Sequence, residues 1–159
     1  MSLSKIKSVT ELAAIAGSGR KIVFTNGCFD LLHVGHVRYL QAARALGEAL
    51  LVAVNGDASV RSLKGPSRPI NTEAERAEVL ASLECVDFVT VFHSDRVTSL
   101  LRAIHPPIYV KGGDYSIESL NAEELGALRE MGSAIHILPL VPGKSTTLII
   151  GKMGAVGNQ

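Results

Sequence analysis

Short apolar runs alternate with helical patterns along most of this chain, and that alternation is the strongest constraint on its fold. The runs lie at 22–25, 50–54, 88–92, 108–110 and 135–138, and the helical patterns lie at 35–46, 72–83, 95–104 and 122–131. The runs lack polar alternation, which is typical of strands buried on both faces of a sheet. The order predicts a Rossmann-like α/β fold, with a doubly wound five-stranded parallel sheet in a single domain.

The two ends of the chain lie outside this alternation. Ser8 and Glu11 fit a capping box that opens a short helix to about Ala16, so residues 1–20 are predicted to form an N-terminal helical extension. The main domain is predicted at 21–150. Residues 151–159 are rich in glycine and are expected to fray as a flexible C-terminal tail.

Composition narrows the class of protein. At 159 residues and 47% hydrophobic, the chain can bury one substantial core. Its net charge is +1 and its basic residues are scattered, so we expect no nucleic-acid partner. No apolar run reaches the length of a membrane span, and the two cysteines are far apart. We therefore expect a cytoplasmic protein with reduced thiols and no membrane partner.

A segment rich in glycine and histidine joins the first predicted strand to the helical pattern at 35. It contains Cys28, Phe29, Asp30, His33, Gly35 and His36. A strand-to-helix turn presents free backbone N–H groups and the positive end of a helix dipole, which together bind anions. His33 and His36 can donate hydrogen bonds to phosphate oxygens there, and Gly35 lets a ligand approach the backbone. The segment predicts a phosphate-handling enzyme.

The histidine pair also fits two roles that involve no phosphate. Either imidazole could simply be a core or capping residue of the helix. Residues three apart share a helix face, so His33 and His36 could also ligate zinc. Cys28 and Cys85 are isolated in sequence and form no CxxC motif, which leaves a zinc site short of ligands. We therefore expect no metal held by protein ligands alone.

Further polar residues follow predicted strands or open predicted helices. They are Asn55, Asp57, Lys64, Arg76, Lys111, Gly112, Gly113, Asp114, Ser145, Thr146 and Thr147. The carboxyl ends of parallel strands meet at one edge of a sheet, and ligands bind there. We therefore expect the residues that follow strands to lie near the histidines.

Each of these residues could equally have a role unrelated to a ligand. Lys64 lies in a stretch that looks mobile, at 61–68, where a lysine is usually just solvated. Arg76 could pair with Glu73 along a helix. The segment 111–114 could be only a tight turn, and 145–147 only a helix N-cap.

Together these motifs resemble the HxGH nucleotidyltransferase superfamily, of which the cytidylyltransferases are members. The resemblance is carried by residues 27–30, 33–36 and 143–147. A narrower likeness, to the adenylyltransferase domain of the heptose-phosphate enzymes, is carried by residues 26–30, 63–65, 67–71 and 110–115. Those enzymes make ADP-heptose for bacterial lipopolysaccharide. The resemblance covers about residues 21–150.

The resemblance implies an activity and a set of roles. His33, His36 and Lys64 would be catalytic, and the other candidates named above would bind nucleotide or phosphate. The reaction would move AMP from ATP, bound with Mg²⁺, to D-glycero-D-manno-heptose 1-phosphate. Such domains are often fused to a sugar kinase, which does not fit in this chain, so we expect a stand-alone form. We also expect a homo-oligomer.

Two alternatives to this function are kept. One is a cytidylyltransferase, or another nucleotidyltransferase, acting on a different phosphorylated molecule such as glycerol 3-phosphate. Against it, the chain has Leu140 where glycerol-phosphate cytidylyltransferases carry an arginine that helps to hold the nucleotide. The other is a nucleotide sensor that keeps the fold without catalysis.

Overall fold

Five parallel strands form the centre of the computed structural model, which describes residues 2–113 and 116–156. They are β1 (Ile22–Gly27), β2 (Ala49–Asn55), β3 (Phe88–Phe92), β4 (Ile108–Gly112) and β5 (Ala134–Leu138), in the spatial order β3-β2-β1-β4-β5. The order proceeds outward from β1 in both directions, so the switch point lies between β1 and β4. The predicted doubly wound parallel sheet is confirmed, and ligands bind such sheets beyond the carboxyl ends of the strands at this point.

Helices cover both faces of the sheet. They are α1 (Val9–Gly17), α2 (Val34–Arg44), α3 (Asp57–Lys64), α4 (Glu73–Ala81), α5 (Thr98–Ile104), α6 (Ala122–Glu130) and α7 (Thr146–Val156), with short 3₁₀ helices at Ser2–Lys5 and Ile117–Ser119. Apolar side chains of α1, α5 and α6 pack with Phe24 and Tyr109 on one face. Those of α2 and α4 pack with Val23 and Val52 on the other. None of the helices in these described ranges is long and apolar enough to cross a membrane.

Two of these helices begin close to where the sequence predicts them, because each starts with a capping box. Ser8 and Glu11 form the capping box of α1, and Thr72 and Glu75 form that of α4. In each box, the hydroxyl and the glutamate satisfy backbone N–H groups that the first helical turn leaves unpaired. By contrast, α5 begins at Thr98 rather than at 95, so residues 95–97 belong to a loop at the edge of the sheet.

Helix α3 corrects the prediction of a mobile stretch at 61–68. Its N-cap, Gly56, supplies no side-chain hydrogen bond, so the usual sequence sign of a helix start is missing. Contacts distant in sequence stabilise it instead. Glu73 accepts a hydrogen bond from the Asp57 N–H at 2.7 Å, and the side chain of Val60 is fully buried. Lys64 is consequently the last residue of a helix rather than part of a loop.

The end of the chain corrects a second prediction. Helix α7 continues through Gly151 and Gly154 to Val156, so residues 151–156 are helical and do not form an irregular tail. Each internal glycine costs a helix about 1 kcal/mol relative to alanine, which is why the glycines at 151 and 154 favour a tail when the sequence is read alone. Residues 157–159 of the predicted tail lie outside the described range.

The N-terminal residues are attached to one edge of the sheet. The Lys5 ammonium donates to the carbonyls of Leu83 and Val86, at 2.9 and 2.7 Å. Ile6 forms a parallel bridge with Val89, and the Lys7 N–H donates to the Val89 carbonyl at 2.9 Å. The segment therefore lies along the outer side of β3.

Two glycines allow a matched test of this packing. A Cβ at Gly47 would lie 2.5 Å from the Lys21 carbonyl oxygen and 2.7 Å from Val23 Cγ2, whereas one at Gly126, inside α6, would meet nothing within 4 Å. We expect Gly47→Ala to destabilise the fold by about 1–3 kcal/mol through steric overlap. Gly126→Ala should stabilise it by up to about 1 kcal/mol. Thermal unfolding of the two variants checks both signs; a Gly47→Ala variant as stable as wild type contradicts the packing described.

Candidate active site

A cleft of about 590 Å³ opens at the carboxyl ends of the strands around the switch point. It brings together Cys28, Phe29, Asp30, His33, Gly35, His36, Asn55, Lys64, Lys111, Gly112, Ser145, Thr146 and Thr147. These predicted residues come from separate parts of the chain. Their convergence follows from the parallel order of the sheet, which places the ends of β1, β2 and β4 side by side.

His33 is both the N-cap of α2 and a cleft residue. Its backbone is extended, with φ −142°, and its Nδ1 accepts the Gly35 N–H at 3.1 Å. Because Nδ1 acts as an acceptor, the proton of the neutral ring lies on Nε2. The capping interaction therefore fixes the tautomer that can donate to a ligand.

His36 packs directly against His33. The two rings stack with centroids 3.9 Å apart, and the Phe29 ring meets His36 edge-on at 5.4 Å. Burial, and then the neighbouring His33, lower the pKa of His36 to about 4. Burial and Lys144 also lower the pKa of His33. Both rings are thus neutral at pH 7, and they can offer hydrogen-bond donors rather than positive charge.

Asp30 anchors the loop before α2. Its buried carboxylate accepts hydrogen bonds from Arg68 Nε and from the N–H groups of Ile70 and Asn71. Burial raises the pKa of Asp30, but these hydrogen bonds outweigh it and the net shift is downward. The carboxylate therefore stays ionised. Its contacts hold the segment 68–71 and do not orient an imidazole.

Arg76 and Asp57 do not reach the cleft. The Arg76 guanidinium is buried and donates to the carbonyls of Cys28 and Asn71, at 2.7 and 3.0 Å, and to Asp57 Oδ1 at 2.8 Å. These bonds engage Nε and both terminal nitrogens, so the structure gives Arg76 a scaffold role. The alternative pairing with Glu73 is not formed either, because the Glu73 carboxylate binds His93 and the Asp57 N–H.

The start of α7 closes another side of the cleft. The Ser145 hydroxyl accepts the Leu148 N–H at 3.1 Å, which is ordinary N-cap geometry. Thr146 Oγ1 donates to the Leu31 carbonyl at 2.9 Å and so ties α7 to the loop before α2. The N-termini of α2 and α7 consequently lie at one cleft, where both favour an anion.

The segment after Val110 is only partly in the cleft. Lys111 and Gly112 form the end of β4 and line it. The Gly113 N–H donates to the Leu138 carbonyl at 3.1 Å, and Gly113 is not among the lining residues. Asp114 lies outside the described residues.

The residues that the structure describes contain no group of three or more His, Cys, Asp or Glu side chains able to hold a metal. His33 Nδ1 is already occupied by the Gly35 N–H. Burial raises the pKa of the Cys28 thiol, which disfavours the thiolate that zinc requires. This geometry therefore gives the zinc alternative no support.

Comparison with known proteins agrees with this geometry. The profile of the cytidylyltransferase-like family matches residues 24–152, which include both histidines and the start of α7. The chain belongs to that family. Its resemblance to the HxGH nucleotidyltransferases is thereby confirmed.

Individual relatives show a more specific similarity than the family profile does. The bifunctional protein HldE of Geotalea uraniireducens is 50% identical over 154 residues, which are 94% of this chain and 31% of the relative. The chain therefore spans about a third of that relative's length. A crystal structure of the lipopolysaccharide core biosynthesis protein from Thermoplasma volcanium is 27% identical, with a TM-score of 0.64, and covers 77% of this chain and 98% of that one.

A more distant structure supports the fold alone. Pantoate-beta-alanine ligase from Francisella tularensis, solved with an ATP analogue and beta-alanine, has a TM-score of 0.54 at 15% identity. The alignment covers 97% of this chain and 79% of the ligase.

Sequence reasoning missed several residues that line the cleft. They are Tyr39, Phe92, Asp95, Arg96, Val97, Glu124 and Val141. The rule that ligands meet the carboxyl ends of strands could have found Phe92, at the end of β3, and the loop 95–97 that follows it. Glu124 gave no such signal, because it reaches the cleft through the packing of α6.

Gly35→Ala tests the histidine geometry without removing a functional side chain. A Cβ there would lie 2.8 Å from His33 Nδ1 and Cε1 and 3.2 Å from Lys144 Cβ. The His33 ring must move, which breaks its bond to the backbone. We expect a loss of pyrophosphate release comparable to that for removing a preorganised donor, about 10²- to 10³-fold. Gly126→Ala is the control, and equal turnover in the two variants would show that the ring position is unimportant.

Proposed function

We propose that this nucleotidyltransferase moves AMP from ATP to D-glycero-D-manno-heptose 1-phosphate, producing ADP-heptose and pyrophosphate for lipopolysaccharide synthesis. The observation that carries the transfer chemistry is the neutral, stacked His33–His36 pair at the N-terminus of α2. The heptose substrate is supported by the sequence motifs of the heptose-phosphate enzymes and by the relatives named above.

The proposed reaction needs no general base. An oxygen of the sugar phosphate is already ionised at neutral pH and attacks the α-phosphorus of ATP. A new P–O bond forms, the bond from the α-phosphorus to the bridging oxygen breaks, and pyrophosphate leaves with those electrons. Catalysis of such a step depends on positioning and on stabilising the charge that develops.

The donors and the charges of the site have separate roles in this proposal. His33 Nε2–H, His36 and the N-terminus of α2 hold oxygens of the α-phosphate. Lys64 and Lys144 supply the positive charge that the neutral imidazoles lack, and both line the same cleft. Ser145 and Thr147 at the start of α7 lie where the departing pyrophosphate can meet hydroxyls and backbone N–H groups.

The donor set fits a magnesium ion that arrives with ATP rather than one held in a protein cage. Among the described residues no cluster of metal-binding side chains occurs, and Asp30 is saturated by its own partners. Magnesium in nucleotide enzymes is commonly bound through substrate phosphates and water, and when bound it neutralises triphosphate charge. We also propose a cytoplasmic location, where ATP is supplied, and a homo-oligomeric state.

A substrate panel tests the proposed reaction. Leu140 lines the cleft and stands at the position where the cytidylyltransferase relatives have an arginine. We therefore expect kcat/KM to be at least about tenfold higher for ATP than for CTP. A factor of this size corresponds to the loss of one hydrogen bond to a charged group. Pyrophosphate release is measured for each nucleotide with heptose 1-phosphate and with glycerol 3-phosphate. Comparable kcat/KM for ATP and CTP would contradict the nucleotide assignment. Nucleotide binding without any turnover would favour the sensor.

Lys64 is expected to act mainly in the transition state. It is exposed at the end of α3 and is followed by Gly65, whose φ of +102° permits a change of direction that other residues resist. A lysine that engages the developing charge of pyrophosphate affects kcat more than ATP affinity. Lys64→Ala should therefore bind ATP nearly as well as wild type and turn over far more slowly.

The matched control for Lys64 is Arg61→Ala. It removes the same charge from the same helical turn, but Arg61 does not line the cleft. Calorimetry gives ATP affinity and steady-state pyrophosphate release gives kcat on one preparation. A large loss of affinity with kcat preserved would make Lys64 a ground-state anchor instead.

A further inference from the structure

Glu124 is a buried acid at the edge of the cleft. It lies in the first turn of α6 and lines the cleft, with 7% of its surface exposed. Its backbone N–H bonds to Asn121, but within 2–113 and 116–156 no hydrogen bond or ion pair engages its carboxylate. Neither oxygen of this carboxylate is among the fully buried polar atoms that lack a partner in the described residues, so the carboxylate remains accessible from the cleft that it lines. The fold gains no hydrogen bond or ion pair from the carboxylate, and the group is therefore open to a ligand.

Tyr109 connects Glu124 to a second polar group. The Tyr109 hydroxyl donates to Asn26 Oδ1 at 3.1 Å. Burial, and then the negative charge of Glu124, raise the pKa of Tyr109, and Glu124 lines the same cleft as Asn26. Because the hydroxyl proton is directed to Asn26, it is not available to Glu124. The bond also orients the Asn26 amide, which leaves its NH₂ group as a donor at the cleft.

Glu124 and Asn26 thus present complementary hydrogen-bonding groups. A carboxylate accepts only, and the Asn26 amide nitrogen donates only. A hydroxyl group both donates and accepts, so it can satisfy the two at once. A phosphate oxygen, by contrast, would be repelled by the carboxylate.

The position of the pair relative to the histidines indicates which part of a substrate it meets. Tyr109 and α6 belong to one face of the sheet, whereas α2 packs on the other, and the cleft spans the edge between them. In the proposed reaction the α-phosphorus is flanked by two sugars, the ribose of ATP and the acceptor sugar. A pair of groups beyond the phosphate site that suits a hydroxyl therefore suits one of these sugars.

We propose that Glu124, together with Asn26, binds a sugar hydroxyl and sets substrate specificity at this end of the cleft. This inference rests on the proposed function. The hydroxyl belongs either to the ribose or to the acceptor sugar, and the two sources can be separated by experiment.

The test compares Glu124→Gln with Glu123→Gln. Glu123 is exposed on the same helical turn and does not line the cleft, so the control makes the same charge change at the same helix end. Calorimetry measures binding of ATP, 2′-deoxy-ATP and 3′-deoxy-ATP, and of heptose 1-phosphate in the presence of a non-hydrolysable ATP analogue. Loss of a charge-assisted hydrogen bond should weaken one ligand about 10- to 100-fold in Glu124→Gln alone.

The pattern of losses identifies the hydroxyl. If it is on the ribose, wild type binds one deoxy analogue more weakly than ATP, and Glu124→Gln no longer distinguishes them. If it is on the acceptor, nucleotide affinities are unchanged and heptose 1-phosphate binds weakly. Glu124→Gln should also melt no lower than Glu123→Gln, because the Glu124 carboxylate makes no hydrogen bond or ion pair with the described residues that the change could break.

Two results would overturn the inference. One is unchanged affinity for every ligand in Glu124→Gln and Glu124→Ala, and the other is a lower melting temperature for Glu124→Gln than for its control, which would indicate a structural role. Failure of the proposed function is recognised separately, as absence of pyrophosphate release by wild type with ATP and heptose 1-phosphate. In that case unchanged affinity for both the nucleotides and heptose 1-phosphate in the variants still rejects the role of Glu124.

Discussion

Two buried charged groups, Asp30 within the loop between β1 and α2 and Arg76 on α4, fix the position of that loop. Asp30 binds the backbone of 70–71, while Arg76 binds the Cys28 carbonyl and reaches Asp57 at the start of α3. Within this loop Phe29 has a φ of +46°, a conformation that residues other than glycine avoid unless their surroundings impose it. The charged groups stabilise that backbone path, and the path delivers His33 to the N-terminus of α2. The donors of the site are therefore in place before any ligand binds, which is what electrostatic catalysis requires.

In this site, the histidines fix the geometry of hydrogen bonding, and other residues supply the positive charge. Burial lowers the pKa of both imidazoles, with a further contribution from Lys144 at His33 and from His33 at His36, so the stacked rings are neutral and direct hydrogen bonds without repelling each other. Positive charge comes from lysines on α3 and just before α7, elements that begin far from the histidines in sequence. Closely packed rings give precise positions, whereas long lysine side chains could follow the charge that moves from the α-phosphate to pyrophosphate in the reaction we propose.

The sequence predicted the sheet well, because strands buried on both faces must be continuously apolar and strand order decides which loops meet. It predicted α3 poorly, because Gly56 offers no capping side chain and the helix depends on Glu73, which is distant in sequence. Arg76 shows a related limit: a cation near a phosphate site looks functional in sequence, yet its carbonyl and carboxylate partners commit it to the scaffold. Glu124 shows the opposite limit, in which a candidate ligand-binding residue looks structural in sequence. An acid in the first turn of a helix is usually explained by the helix dipole, and only the structure shows that this one is buried.

The bridge between Ile6 and Val89 has a consequence for the behaviour of the sheet in solution. β3 is an edge strand, and an uncovered edge is a template on which extended segments of other chains can add. The N-terminal residues occupy part of that template, with the Lys5 ammonium bound to carbonyls just beside it. By covering this part of β3, they limit the addition of strands from other molecules at this edge.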